Sequence, residues 1–93
     1  MIKREFIENN LLKVLNYLPE YIKDSEEQAW WYLKIEKEYG KYKITYFHND
    51  VEYNCFDSNL FISINEDLIE AIIDIIKKLN TIIPNFINNL IDI

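Results

Sequence analysis

FHNDVEYNCFD, running from Phe47 to Asp57, gathers the chain's single histidine, His48, and single cysteine, Cys55, with Asp50, Glu52 and Asp57 beside them. Thiol, imidazole and carboxylate are the groups of a nucleophilic dyad or a metal site, so spacing must decide whether they can meet. A Cys–His dyad needs sulfur and imidazole within hydrogen-bond reach, roughly 3 Å. If Asn49-Asp50 forms a tight turn, His48 pairs with Val51 and Cys55 lies further along that same strand. At ~3.3 Å per residue the two then share a face but sit ~13 Å apart. That is too far. Structural zinc takes about four Cys or His ligands, and only His48 and Cys55 exist. DSNLFISINEDL, from Asp57, starts like a calcium loop. It fails with Phe61 at the fifth position, Ile62 where glycine is required and Leu68 in place of the last glutamate. The chain's single glycine excludes any glycine-rich phosphate loop. Ser58 and Ser63 have no histidine base within predictable reach, and no carboxylate pair is marked for acid–base work. The stretch is expected to be a hairpin, with no catalytic residue, metal or cofactor.

The elements around it follow from periodicity. KREFIENNLLKVLNYL carries Phe6, Ile7, Leu11, Val14, Leu15 and Leu18 at helical spacing, ended or kinked by Pro19. PEYIKDSEEQAW reads as a short helix or loop with Tyr21 and Ile22 packing inward. From Trp30 to Asp57 the period becomes two, with Trp31, Leu33 and Ile35 alternating against Tyr32, Lys34 and Glu36. Turns at Tyr39-Gly40 and Asn49-Asp50 set a register. Across the first, Glu36 meets Lys43, Ile35 meets Ile44, Leu33 meets Tyr46 and Trp31 meets His48. Across the second, Tyr46 meets Tyr53, Ile44 meets Cys55 and Phe47 meets Glu52. One face is then apolar and the other charged, which a one-residue slip would undo. LFISI is a further short strand. Ser63-Ile64-Asn65-Glu66 fits a capping box opening the helix NEDLIEAIIDIIKKLN, and NFINNLIDI forms a last helix after Pro84. The fold expected is a single α+β domain over 1–93: an N-terminal helix, a three- to four-stranded antiparallel meander and two C-terminal helices on one sheet face.

Charge is the most unusual feature. The net charge of −6 lies entirely in the second half, where eight acids face only Lys77 and Lys78, and no lysine or arginine falls between Lys43 and Lys77. Such a chain lacks the basic footprint of direct nucleic-acid binding. It offers instead a carboxylate surface suited to a basic protein groove. Glu66, Glu70 and Asp74 repeat every four residues, a row on one helix face, and Asp50, Glu52 and Asp57 extend the field from the hairpin if the sheet and helix ends lie close. Trp30, Tyr32 and Phe47, with Phe56, project from the outer sheet face as an aromatic anchor, unless the N-terminal helix or residues 19–29 pack over them. No stretch approaches the ~20 apolar residues of a membrane span, no signal peptide is evident and one cysteine gives no internal disulfide, so a cytoplasmic protein is expected.

In size, charge and layout, through the meander Trp30–Asp57 and the acidic stretch Asp50–Asp74, the chain resembles the small acidic anti-CRISPR proteins of phages and mobile elements. That resemblance implies a non-enzymatic inhibitor that covers the nucleic-acid-binding surface of a CRISPR effector inside a bacterial host. LPEYIKDSEEQAWWYLKIE is similar also to bacterial toxin-immunity proteins, which neutralise nuclease toxins by binding them. A third expectation is a structural or adaptor domain that oligomerises through the apolar segment Ile82 to Ile93.

Overall fold

In the computed structural model, which describes residues 2–23, 30–48 and 58–91, the change from helical to two-residue periodicity falls where the pattern puts it. Helices α1 (Arg4–Asn9) and α2 (Leu11–Tyr17) lead into strands β1 (Tyr21–Lys23), β2 (Trp30–Glu38), β3 (Lys41–His48) and β4 (Ser58–Asn65). Helices α3 (Leu68–Asn80) and α4 (Phe86–Ile91) follow. The sheet is an antiparallel meander of order β1-β2-β3-β4, curved into a half-barrel. An α+β architecture is therefore observed.

The β2–β3 hairpin has the expected register: Glu36 opposes Lys43, Ile35 opposes Ile44 and Leu33 opposes Tyr46. Its turn places both Tyr39 (φ 52°) and Gly40 (φ 75°) in the left-handed region, the two-residue geometry whose twist suits flanking strands. The second expected hairpin is not formed as drawn. The far side of β3 is occupied by β4, with Ile44 opposite Ser63, Tyr46 opposite Phe61 and Phe47 opposite Asn59. The expected pairs Ile44–Cys55, Tyr46–Tyr53 and Phe47–Glu52 are thus overturned. The reason is connectivity: α3 starts three residues after β4, so the strand it packs on is the one just before it. Asn49, Asp50, Val51, Glu52, Tyr53, Cys55, Phe56 and Asp57 lie outside the described residues.

Three further differences are local. The N-terminal helix is two helices, because Asn10 leaves helical geometry (φ −130°, ψ 29°) while its side-chain amide donates to the Phe6 carbonyl at 2.9 Å. The 19–29 region supplies β1 rather than a helix or loop alone, and Tyr21 is 53% exposed instead of packing inward. The capping box does not form. The N-cap of α3 is Asp67, whose carboxylate accepts from the Ile69 amide at 2.9 Å. Ser63 is buried in β4, where its hydroxyl donates to the Ala71 carbonyl at 2.8 Å.

The core lies between the concave sheet face and the helices. Ile44 and Tyr46 from β3 meet Ile72, Ile75 and Ile76 from α3, all fully buried. Burial lifts the Tyr46 phenol well above its ordinary pKa, and its hydroxyl donates to the Pro19 carbonyl at 2.7 Å, fastening the α2–β1 connection to the sheet. Val14 and Leu18 close one side, and Phe86 and Leu90 of α4 fold back into the same cluster. The C-terminal segment therefore puts its bulk inside, leaving Ile82 and Ile91 each 46% exposed. No helix among the described residues is long and apolar enough to cross a membrane.

Candidate functional site

Strand alternation sends Trp31, Leu33, Ile44 and Tyr46 inward and sends Trp30, Tyr32 and Phe47 to the convex face. Tyr32 sits between Tyr21 on β1 and Phe47 on β3, so one aromatic row crosses three strands. Trp30 lies beside that row, with its ring 5.0 Å from Tyr21 in an edge-to-face arrangement. Trp30 is 39% and Tyr32 49% exposed. The N-terminal helices contribute to the core on the opposite side, and on this face Phe47 is half-buried beside the more exposed rings. Tyr21, which sequence reasoning placed inside, belongs to this patch. Three residues of strand were too few to show alternation.

The patch is not purely apolar. The Lys23 ammonium stands 5.3 Å from the Trp30 ring centroid, and that of Lys34 stands 5.5 Å from Phe47. Contacts of this kind hold a lysine stem flat over a ring and are worth about 0.5–1 kcal/mol at exposed sites. Below the row, buried Thr45 floors a shallow depression of about 150 Å³ walled by Lys34, Glu36, Lys43 and Phe47. Ile62 and Ile64 of β4, 38% and 55% exposed, continue the convex face towards the sheet edge.

The acidic row is shorter than its spacing suggested. Glu66 precedes the N-cap and is not part of α3. Glu70 lies 3.0 Å from Arg4, which also reaches Asp67 at 2.8 Å and Glu8 at 2.6 Å. Hydrogen bonding to Arg4 holds the Asp67 carboxyl below its ordinary pKa. Asp74 pairs with Lys78 at 2.9 Å. Burial pushes the Asp74 carboxyl up, but the Lys78 bond and the charges of Lys78 and Lys77 outweigh it, so it too lies low. Glu70 and Asp74 stand on the helix packed against the concave side, across the sheet from Trp30, Tyr32 and Phe47. The fold brings the three aromatics together and separates them from the helical acids. Asp50 and Glu52 lie outside the described residues.

His48 Nδ1 is 3.1 Å from the Trp30 carbonyl, and its ring packs 5.5 Å from Trp31. Cys55 lies outside the described residues. Among the described residues no group of three or more His, Cys, Asp or Glu is gathered for a metal. Comparison of the chain with protein-family models, with curated proteins and with solved structures returned no match.

Proposed function

We propose that this chain is a non-enzymatic inhibitor that docks on a basic, nucleic-acid-handling protein, a CRISPR effector first and a nuclease toxin as the alternative. The observation that carries the reading is the aromatic row of the convex face, where Tyr21, Trp30 and Tyr32 stay exposed on a sheet whose other side packs on the core. Aromatic side chains of this size are the usual anchors of protein interfaces, because they bury large area for few lost rotamers. The net charge of −6 supplies long-range attraction for a basic partner, while the anchors supply the short-range grip. With Glu70 and Asp74 each already ion-paired, the acids steer the encounter more than they imitate a phosphate backbone. The adaptor reading has less to stand on, since Phe86 and Leu90 are spent on the chain's own core.

The test is binding to a defined panel of purified CRISPR effectors and basic nuclease toxins, measured by surface plasmon resonance for the protein and its Trp30→Ala/Tyr32→Ala variant. An anchor of this type is worth about 2 kcal/mol or more, roughly thirtyfold in Kd, felt mainly in the off-rate. The variant should keep its fold, because neither side chain is in the core. Unchanged affinity in a folded variant removes the convex face as the docking surface. Failure to bind any basic partner removes the reading as a whole.

A further inference from the structure

Among the described residues β4 is an edge strand of the sheet, and the hydrogen-bond phase of the hairpin tells which backbone groups it presents. The Tyr39-Gly40 turn is closed by the Glu38–Lys41 pair, so Lys43, Thr45 and Phe47 direct their amides and carbonyls to β2. Tyr42, Ile44 and Tyr46 turn theirs to β4, meeting Asn65, Ser63 and Phe61. Alternation then leaves the backbone groups of Ile62 and Ile64 facing outward. One contact agrees with that phase directly: the Lys78 ammonium donates to the Ile62 carbonyl. The same ammonium is 2.9 Å from Asp74 Oδ2. Between this edge and α3 lies a cleft of about 370 Å³, lined by Ile64, Asn65, Glu70, Ile73, Asp74 and Lys77.

We infer that the β4 edge is a strand-addition site for an extended basic segment of a partner protein, with Lys78 holding the place of that segment's own cation. The inference rests on the reading of a basic protein partner, but uses a surface other than the aromatic row. An incoming strand gains backbone hydrogen bonds from Ile62 and Ile64, the mode by which extended peptides join exposed sheet edges. Its alternate side chains project into the cleft. Lys78 shows the chemistry the site prefers, a cation bridging an edge carbonyl and a carboxylate. Sheet edges left open invite pairing, and a lysine laid over one is a common guard. Among the described residues the guard is one half-exposed side chain, Lys78, which an arginine or lysine of the partner can replace.

Charge selects the occupant. Lys41 and Lys43, with Glu38, lie by Ile64 on the β3 side of the edge, whereas on its α3 side Glu8, Glu66, Asp67, Glu70 and Asp74 stand against Arg4, Lys77 and Lys78. A second copy joined edge to edge would bring that negative excess against its own image. A basic segment meets it with the opposite sign.

The experiment titrates isotope-labelled protein with an acetylated ten-residue peptide alternating arginine and valine, followed by amide NMR. A control peptide of identical sequence carries N-methyl groups on all its amides, keeping the charge and losing the donors. Saturable binding with shifts at the Ile62 and Ile64 amides, lost on N-methylation, is the result expected. Asp74→Asn should weaken it about fivefold, the upper end for an exposed ion pair. Lys78→Met, which keeps the aliphatic stem and removes the guard, should tighten it. Equal binding by the methylated peptide, absence of binding, or weaker binding by Lys78→Met overturns the inference. Dimerisation of Lys78→Met without peptide affinity overturns it too, in favour of a second copy. Peptide failure while Trp30→Ala/Tyr32→Ala still loses the partner sinks the edge site and spares the convex-face reading; intact peptide binding without any partner does the reverse.

Discussion

Tyr46→Phe is the most informative single change for the fold, because it removes one oxygen from the centre of the molecule and nothing else. The ring is fully buried, and its hydroxyl donates to the Pro19 carbonyl at 2.7 Å. A hydrogen bond of this kind contributes about 1 kcal/mol net, which for a domain of this size lowers Tm by about 4–8 °C. The pH dependence sharpens the test. Burial raises the folded pKa of this phenol far above its ordinary value of 10.0. Below pH 10 the phenol is neutral in both states and its contribution is complete. Above pH 10 the unfolded chain loses the proton first, so stability falls as pH rises, by about 1.4 kcal/mol per unit relative to the phenylalanine variant. A 1 kcal/mol advantage is then cancelled at about pH 10.7, where the two urea-unfolding curves should cross. Other tyrosines and the lysines titrate alike in both proteins and drop out of the difference. Parallel curves from pH 7 to 11 would refute the buried, hydrogen-bonded phenol.

Tyr39→Asn should stabilise the protein by about 0.5–1 kcal/mol, raising Tm by a few degrees, because Tyr39 holds φ 52° and its 94% exposed ring packs on nothing; no gain in a thermal melt contradicts the turn geometry. Arg4→Met should return the Asp67 carboxyl towards its ordinary pKa, since the Arg4 hydrogen bond is the main cause of its depression. Asp67 contributes stability above the unfolded carboxylate pKa and loses it as pH falls through the lowered folded one. The variant should therefore show a shallower acid loss of stability below about pH 4, read by carboxyl NMR titration and acid unfolding. Trp30→Phe should leave a blue-shifted, poorly quenched emission from buried Trp31, and Trp31→Phe a red-shifted, readily quenched one from Trp30, by acrylamide quenching; the reverse assignment would mean that the faces of β2 are exchanged.

The part of the fold legible in the sequence was the part in which short-range rules agree. The β2–β3 register was readable because Tyr39-Gly40 fixes a two-residue turn and the apolar alternation on either side admits only one phase. The β4 pairing was not, because Asn49-Asp50 offers equally good turn chemistry on paper and VEYNCFD alternates as well as LFISI does. β4 also inverts the usual pattern: Ser63 points inward to bond Ala71 while Ile62 and Ile64 face outward. Polarity alone would have turned that strand over. The break at Asn10 was hidden because the apolar stripe runs straight across it, and only the Asn10 bond to Phe6 reveals it. Of the candidate site, Trp30, Tyr32 and Phe47 followed from alternation, whereas Tyr21 needed the unseen strand β1.

The charge layout shows how far a sequence-level sum can mislead about a field. Counted along the chain, the acids of the second half have only two lysines to answer them. In the fold, Arg4 crosses from the first helix, sixty-six positions away from Glu70, and takes three carboxylates at once. Lys78 takes Asp74 from its own helix. A partner that recognised only negative charge would therefore compete with cations already in place, and exposed pairs of this kind exchange at little cost. That makes the two cations the natural control points of the surface. Whatever displaces Lys78 must bring both a positive charge for Asp74 and a donor for the Ile62 carbonyl, which is more than charge alone and is what an extended basic strand carries.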